Sequence, residues 1–408
     1  MTTNLPAQTG LSPDARRWPV ISALGIVQIF AWGSSYYLLA VLAAPIAADT
    51  GWPLSWIVGA LSIGLLAAGV VSPRVGDAIG QHGGRPILAL ACLLFAAGLV
   101  ILAAAPSLWV FVAGWIVLGI GMGAGLYDAA FATLGGYYGR SARSAITTLT
   151  LWGGFASTVC WPLSALFLEH LGWRGACMAY AGIHLAICLP LVLLVLPSNG
   201  KPRPIGGKDQ APAIKLRDHE RRAYLIMMAI MVLAGLGVTI ISVHLLTLLQ
   251  QRGLSLGEAV ALGALIGPAQ VAGRIGEMAS GGRHHPFWTL AAASVLSAAG
   301  VTMLAAGFLI IGLSLILYGA GNGIFSIAKG ALPLALFGPS RYAPIMGRLA
   351  RPSLVAQAAG PTVGAILLSV GGTDQTLVAL AALAIANLAL VALLWGPIKG
   401  EAGSNDKF

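Results

Sequence analysis

The stretch RVGDAIGQHGGR at Arg74–Arg85 recurs in the second half of the chain as RIGEMASGGR at Arg274–Arg283. A second stretch, GIGMG at Gly119–Gly123, recurs at the same offset of 200 residues as GAGNG at Gly319–Gly323. Two matches at one offset, each at the same point of its half, indicate a duplicated unit of about 200 residues. Duplication on this scale is typical of membrane proteins that hold a solute site between two repeats.

The composition places this repeated unit in a membrane. Of the 408 residues, 58% are hydrophobic and only 9% are charged, so most segments could not remain dissolved in water. Apolar runs of about 20 residues, the length that crosses a bilayer core, predict twelve membrane spans. These spans cover residues 18–47, 53–72, 86–104, 108–136, 145–168, 175–196, 223–249, 257–279, 286–305, 307–336, 343–369 and 376–395. The sequence therefore predicts an all-α membrane protein with twelve transmembrane helices in two pseudo-symmetric six-helix halves.

A polar stretch rich in proline, glycine and charged residues separates the two sets of spans. Such a composition is typical of a linker and marks the boundary between the halves. The predicted division is an N-terminal tail (1–17), an N-terminal half (18–197), a linker (198–220), a C-terminal half (221–397) and a C-terminal tail (398–408).

The positions of lysine and arginine predict the orientation, because cationic loops stay on the cytoplasmic side. If the N-terminus is cytoplasmic, 20 of the 23 basic residues fall in inner segments, Arg174 and Arg252 fall in outer loops, and Lys329 lies within a span. Both termini are therefore predicted to be cytoplasmic, in a multi-pass protein of the cell (inner) membrane. Topology and attraction to anionic lipid explain the net charge of +10, so no nucleic-acid partner is expected.

The sequence indicates neither a cofactor nor a metal site. The cysteines lie in or beside apolar spans without paired spacing, which is typical of free buried thiols; they are Cys92, Cys160, Cys177 and Cys188. The glycine stretches follow no strand, so close helix contacts explain them better than a nucleotide-binding loop.

The spans hold no clustered nucleophile or carboxylate pair, and the chain has no GxxxxGK[ST] loop for ATP hydrolysis. An enzyme is therefore not expected.

Twelve spans, two halves, a cationic linker and an Asp/Gly/Arg signature after span two together resemble the major facilitator superfamily of transporters. In that family the loop after span two reads GxxxDRxGRR, and here Asp77 and Gly80 match it. Pro73 and Ala78 replace the first glycine and the first base, and the closing arginine is displaced. The resemblance covers residues 18–395 and implies alternating access of two six-helix halves, driven by an ion gradient or by the gradient of the substrate.

Three short stretches are similar to the branch of this superfamily that includes monocarboxylate and oxalate carriers. They are GWR at Gly172–Arg174, FGP at Phe337–Pro339 and GP at Gly360–Pro361. In that branch a substrate-binding arginine lies in the middle of span eight. Arg274 is assigned here to the cytoplasmic end of that span, with the other inner basic residues.

Few ionisable residues lie deep within the predicted spans, where a charge is costly and usually functional. Asp128 in span four and Lys329 in span ten differ by one position under the 200-residue offset, so they lie at nearly the same depth. We expect them to face each other across the halves and to pair when the inner side is shut. The alternative is that each is satisfied within its own half by a polar neighbour such as Tyr127 or Asn322.

Two polar stripes are candidates for substrate contacts. The stripe in span ten has the spacing i, i+4 and i+7, which places its members on one helix face: Asn322, Ser326 and Lys329. The stripe in span one consists of Gln28, Trp32, Ser35 and Tyr36. Amide and aromatic groups on one face suit a substrate with polar and apolar surface, but ordinary helix contacts in lipid produce such stripes equally often.

Two histidines lie within predicted spans. The histidine side chain titrates near neutral pH, so His244 in the outer part of span seven is a candidate for proton coupling. A hydrogen-bonded packing role for His244 is the favoured alternative. His184 in span six is expected to be structural.

The duplicated loops after spans two and eight are expected to form a gate at the cytoplasmic side. One cluster would hold the halves together in the outward-open state, and it consists of Asp77, Arg85, Arg140 and Arg143. Its twin in the second half consists of Glu277, Arg283 and Arg341.

Together with the resemblance, these residues favour a secondary transporter that moves a small organic anion with a proton. Lys329 would neutralise the anion and Asp128 would carry the proton. The alternative is a proton-driven exporter of amphipathic compounds, in which Asp128 alone exchanges protons beside Trp32, Tyr36 and Trp152. A transporter-like membrane sensor is an alternative of another class. We expect a monomer whose partners are the substrate, protons and membrane lipid.

Overall fold

The structure, a computed structural model, describes residues 17–198, 216–280, 283–307 and 310–405. The predicted N-terminal tail up to residue 16, the linker from 199 to 215 and the C-terminal tail from 406 lie outside the described residues. The regular elements of the described part of the chain are helical, as its apolar composition predicts.

The first half consists of helices joined by short turns. They are α1 (Arg17–Gly33), α2 (Leu38–Thr50), α3 (Leu54–His82), α4 (Gly84–Ala104), α5 (Leu108–Gly125), α6 (Tyr127–Tyr138), α7 (Ala142–Gly154), α8 (Ala156–Ile183), a π-helical turn (His184–Cys188) and α9 (Leu189–Val195). The second half consists of α10 (Asp218–Gln251), α11 (Leu256–Gly263), α12 (Ile266–Ala279), α13 (Pro286–Ala305) and α14 (Ile311–Asn405).

The longest helical stretches reverse direction at glycines. In the described residues, eight helical stretches are long and apolar enough to cross a membrane, and two of them contain 88 residues each. The first of these two turns at the 3-10 segment Gly139–Ser141 and at Gly172, where φ is 67°. The second turns at Gly338 and Gly372, where φ is 71° and 66°, values that glycine adopts readily. Two turns divide each long stretch into three segments, a division consistent with the twelve spans predicted.

In the second long stretch, residues 311–337, 339–371 and 373–398 are the tenth, eleventh and twelfth spans. Several other spans are interrupted near their middle. The interruptions lie at residues 34–37 in span one, Leu126 in span four, Phe155 in span five and residues 264–265 in span eight. Hydropathy does not predict the last three of these breaks, because apolar residues continue through them.

Glycines of the duplicated stretches allow neighbouring helices to pack closely. Gly119 of α5 lies against Gly64 of α3, and its counterpart Gly319 lies against Ile266 and Ala269 of α12. A β-carbon at either glycine would overlap the facing helix. The glycine stretches therefore make the helix contacts that the sequence predicts for them.

The halves meet at the end of the bundle that carries Asp77 and Glu277, predicted to be cytoplasmic and termed the inner end. Gly76 of α3 and Gly347 of the eleventh span approach so closely that a β-carbon on either would lie 3.0 Å from the Cα of the other. Tyr342 of the eleventh span is buried in the hydrophobic cluster of the first half. The inner end is therefore packed shut in this structure.

Candidate functional site

Asp128 and Lys329 form an ion pair between the two halves. Lys329 Nζ lies 2.7 Å from one carboxylate oxygen of Asp128 and 3.0 Å from the other. The two side chains are largely buried, with 18% and 19% of their surface exposed. Asp128 lies in the first turn of α6, where the free backbone N–H groups of a helix start favour a carboxylate. The pairing expected from the sequence offset is present, and each charge neutralises the other.

Gln28 stabilises the break between α5 and α6. Its Nε2 donates a hydrogen bond to the backbone oxygen of Gly125 at 2.7 Å, and the residue is fully buried. A helix end leaves backbone carbonyls without partners, and this amide satisfies one of them. On the other side of the break, the Tyr127 hydroxyl donates to the backbone oxygen of Thr150 at 3.2 Å. The Gln28 side-chain amide, a predicted substrate contact, thus donates its hydrogen bond to the backbone of α5.

An aromatic cluster lies beside this break, between the first span and α6. The ring centroids of Tyr36, Tyr37 and Tyr127 lie 5.5, 6.2 and 5.2 Å from that of Trp32. Tyr36 also interacts with Thr239 of α10, so the cluster reaches the second half. Trp32 Nε1 is buried and has no hydrogen-bond partner among the described residues. Buried donors are nearly always paired, so this one marks a place for an acceptor.

Arg274 extends from α12 into the aromatic cluster. The residue is only 6% exposed, and its Nε donates to the Ser326 hydroxyl at 3.2 Å. Its charge acts on the hydroxyls of Tyr37 and Tyr127. A β-carbon on Gly154 of α7 would overlap Arg274 Nη1, so the guanidinium packs against the first half. Nη1 is buried and, within the part of the chain that the structure describes, has no hydrogen-bond partner.

This environment corrects the assignment of Arg274 to the inner basic residues. The guanidinium lies between the two halves instead of in an aqueous loop: its Nε donates to the Ser326 hydroxyl, and its Nη1 packs against Gly154 of α7. Charge counts and hydropathy locate a residue along a helix but not the direction of its long side chain. Arg274 is therefore the cation at the aromatic cluster that the sequence-based list of site residues omitted.

The predicted stripe on the tenth span divides among three environments. Ser326 accepts the hydrogen bond of Arg274, and Lys329 pairs with the carboxylate described above. Asn322 lines a cavity of about 60 Å³ between α10, α13 and the twelfth span, together with Asn387. A cavity of this size holds a few water molecules. Ser326 is thus the member of the stripe that lies at the aromatic cluster.

Trp152 and His244 make contacts within their own halves. Trp152 packs over Gly25 of α1, where an added β-carbon would overlap the indole ring. His244 Nε2 lies 2.9 Å from the backbone oxygen of Pro361 in the eleventh span. This hydrogen bond is what the alternative role of His244, a hydrogen-bonded packing residue, would require.

Two ion pairs cross between the halves at the inner end. Arg348 of the eleventh span donates to both carboxylate oxygens of Asp77, at 2.7 and 3.2 Å. Arg143 of α7 lies 3.3 Å from the carboxylate of Glu277, and it also donates to the backbone oxygen of His284. Each half thus supplies one acid and one base to the contact.

The sequence groups the gate residues differently. It places Asp77 with Arg143 in one cluster and Glu277 with Arg341 in another, whereas each acid binds a base of the opposite half. The physical reason is the pseudo-twofold arrangement of the halves. Helical segments that are distant in the chain meet across the interface between the halves.

The remaining predicted gate residues make other contacts or face outwards. Arg341 binds Glu220 at the start of α10, with Nη1 3.0 Å from the carboxylate. Arg85 donates to a backbone oxygen of α9. Arg140 and Arg283 are exposed. These residues therefore fasten helices within one half or lie at its surface.

The family to which this chain belongs follows from comparison with known proteins. The model of the Major Facilitator Superfamily matches residues 24–285. Human Monocarboxylate transporter 11 is 31% identical over 217 residues, which cover 51% of this chain and 43% of that protein. Rat Monocarboxylate transporter 3 is 24% identical over 358 residues, which cover 84% of this chain and 72% of that protein. The chain thus spans less than half of the first relative and nearly three quarters of the second.

Solved structures share the fold over nearly the whole chain. FucP in the outward conformation, a fucose:proton symporter of E. coli, superposes with a TM-score of 0.72 and 14% identity, covering 92% of this chain and 98% of that chain. The human organic anion transporter MFSD10 superposes with a TM-score of 0.71 and 17% identity, covering 92% and 99%. The resemblance noted in the sequence is confirmed. This chain is a multi-pass membrane protein that belongs to the Major Facilitator Superfamily.

Proposed function

We propose that this transporter carries a small organic monocarboxylate together with a proton, and that Arg274 binds the carboxylate. The observation that carries the proposal is the unpaired Nη1 of a buried guanidinium between the halves. A buried charge is normally paired, because an uncompensated one is strongly destabilising. Among the described residues Arg274 has no ion pair, and its bond to Ser326 is to a neutral hydroxyl. An anionic substrate would supply the missing charge.

The groups around Arg274 suit a carboxylate in particular. A guanidinium presents its N–H groups as a fork that matches the two oxygens of a carboxylate. Trp32 Nε1 is a further unpaired donor in the same aromatic cluster, and the hydroxyls of Tyr37 and Tyr127 lie within the field of Arg274. The aromatic rings would contact the apolar body of the substrate. The arrangement therefore favours an organic anion over a sugar.

The charge balance favours a single carboxylate. Lys329, the other cation deep in the spans, is neutralised by Asp128 at 2.7 Å. A second negative charge on the substrate would therefore meet no free cation beside Arg274. This differs from the expectation that Lys329 binds the anion, because the structure gives Lys329 a carboxylate of its own.

Asp128 is the proposed proton carrier. When its carboxylate accepts a proton, it loses its charge and with it the attraction to Lys329 across the halves. The ion pair would then open, and Lys329 would stay as an unpaired charge until Asp128 released the proton. Proton binding would thus be coupled to separation of the halves.

The names of some similar proteins support this proposal. Two relatives are called monocarboxylate transporters and MFSD10 is described as an organic anion transporter, whereas FucP is described as a fucose:proton symporter. The aromatic cluster around Trp32 is also compatible with the alternative, proton-driven export of amphipathic compounds. An exporter of neutral or cationic compounds would have no need of the Arg274 charge.

Uptake into proteoliposomes tests the proposal. The protein is reconstituted with a proton gradient directed inwards, and uptake of radiolabelled pyruvate is measured in competition with benzoate, succinate and fucose. We expect gradient-dependent uptake that the monocarboxylate benzoate inhibits, while the dicarboxylate and the sugar do not. The proposal would be contradicted if succinate or fucose inhibited uptake as strongly as benzoate does. It would also be contradicted if the rate of uptake did not depend on the proton gradient.

A further inference from the structure

The first span is interrupted where it reaches the substrate site. Helix α1 ends at Gly33 and α2 begins at Leu38, and residues 34–37 form a turn between them. Within this turn the Tyr37 backbone N–H donates to the oxygen of Trp32 at 3.0 Å, five residues back, instead of four as in an α-helix. The helix is therefore locally unwound.

The unwound segment brings two consecutive tyrosines to the same site. In a regular α-helix, consecutive side chains point about 100° apart. Here the rings of Tyr36 and Tyr37 both contact Trp32, and they lie 5.6 Å from each other. Tyr37 lies within the field of Arg274, while Tyr36 interacts with the second half. The shape of the turn thus determines where the rings of Tyr36 and Tyr37 lie in the site.

One buried side-chain contact joins this turn to the sixth span. The Ser34 hydroxyl and His184 Nε2 are 2.8 Å apart, and both residues are 0% exposed. His184 stacks on Phe95 with ring centroids 4.9 Å apart, which fixes the plane of the imidazole. It is also the first residue of the π-helical turn His184–Cys188, and π-turns are frequent at functional sites.

We propose that His184 is a positioning residue of the transporter: through Ser34 it holds the unwound turn that presents Tyr36 and Tyr37 to the substrate. The proposal rests on the proposed function for the identity of the substrate, but not for the shape of the turn. The Ser34–His184 contact anchors the start of the turn to the sixth span, whereas the neighbouring Ser35 hydroxyl bonds within the first span, to the carbonyl of Ala31 at 2.5 Å. His184 is therefore the group through which the sixth span holds the turn in place.

Hydrogen exchange tests the structural part of the proposal without any substrate. Exchange of the backbone amides of residues 34–37 is followed by mass spectrometry in the full chain, reconstituted in nanodiscs. We expect Ser34→Ala and His184→Leu each to accelerate exchange in this segment at least tenfold, and Ser34→Thr, which keeps the hydroxyl, to leave it within twofold of wild type.

The matched control is Ser164→Ala. Ser164 is 1% exposed, and its hydroxyl bonds to Tyr180 of the sixth-span segment at 2.7 Å, so its loss also removes a buried bond between spans of the first half. We expect this control to leave exchange at residues 34–37 unchanged. Equal exchange in wild type and Ser34→Ala, or an equal acceleration in Ser164→Ala, would overturn the proposal.

Transport kinetics test the functional part. With pyruvate as the probe, Ser34→Ala and His184→Leu should each raise KM about tenfold while the maximal rate stays within twofold, because the aromatic wall of the site is displaced and the helices that move are intact. The double variant should be no worse than either single variant. A fall in maximal rate with unchanged KM would contradict a positioning role. If wild type transports no pyruvate, the proposed function fails, and the exchange experiment still decides the role of His184.

Discussion

Arg348 in the second half binds both carboxylate oxygens of Asp77 in the first half, and Arg143 in the first half binds Glu277 in the second. Asp77 and Glu277 are counterparts under the 200-residue offset. The duplicated loop therefore closes the inner end twice, each copy against the opposite half. Opening of the inner end must break both pairs.

Asp77→Asn is predicted to loosen the inner end. The side chains of Asp77 and Arg348 are 28% and 36% exposed, and an ion pair this accessible contributes about 1 kcal/mol, or about a fivefold change in the equilibrium between closed and open inner ends. Distances between spin labels at the inner ends of α3 and the eleventh span would show the shift. Combining Asp77→Arg with Arg348→Asp should restore the closed population.

The control for this variant is Asp374→Asn. Asp374 pairs with Arg252 inside the second half, and its side chain is 84% exposed, so its loss should leave the distance distribution unchanged. A distribution for Asp77→Asn that equals that of wild type would show that this ion pair does not hold the halves.

Asp128 and Lys329 are predicted to be thermodynamically coupled. Removing one charge leaves the other buried and uncompensated, which lowers the free energy of unfolding by about 3 kcal/mol. Removing both charges leaves no uncompensated charge. Asp128→Asn and Lys329→Met should each lower the thermal midpoint of the purified protein, and the double variant should melt above both. Strictly additive losses in this cycle would contradict the coupling.

Gly347→Ala is predicted to force the inner end apart. The new β-carbon would meet the backbone oxygen of Ser72 and lie 3.0 Å from the Cα of Gly76, and a backbone cannot move aside as a side chain can. A cysteine introduced at Ser72 should therefore react faster with a thiol reagent applied from the inner side. Gly396→Ala serves as control, because a β-carbon there meets nothing within 4 Å; equal reactivity in the two backgrounds would refute the prediction.

Gly154→Ala is predicted to weaken substrate binding. Its β-carbon would overlap Arg274 Nη1 and push the guanidinium away from the first half. We expect KM for pyruvate to rise about tenfold, equivalent to about 1.4 kcal/mol, with little loss of thermal stability because the Arg274 side chain is flexible. Gly136→Ala, where nothing lies within 4 Å, should transport as wild type does. An unchanged KM in Gly154→Ala would contradict the proposal that Arg274 binds the substrate.

The sequence predicts those features of the fold and site that depend on position along the chain. The offset of 200 residues anticipates that Asp128 and Lys329 lie at equal depth, because equivalent helices repeat the same length. The twelve spans follow from apolar length, and the turns at Gly172 and Gly338 follow from residues that tolerate a positive φ.

The direction in which a side chain points, and the residue it binds, are harder to predict from the sequence. Gln28 belongs to a polar stripe, yet it binds a carbonyl freed by a break that hydropathy does not reveal. Arg348 resembles any other inner arginine until the halves are placed together. Arg274 is missed because hydropathy and charge counts do not show that its side chain ends between the halves. The signal that could have identified it is the resemblance to the monocarboxylate branch, in which a substrate-binding arginine lies in span eight, the span that holds Arg274.

Equilibrium binding of a radiolabelled monocarboxylate to Arg274→Gln tests the proposed function most directly. Benzoate binding is measured on the purified protein beside wild type, Arg274→Lys and the control Arg252→Gln, whose arginine pairs with Asp374 within the second half. We predict that Arg274→Gln loses at least a hundredfold in affinity, that Arg274→Lys retains part of it because it keeps the charge but not the fork, and that Arg252→Gln binds as wild type does. Wild-type affinity in Arg274→Gln would contradict the assignment of Arg274 as the carboxylate-binding residue.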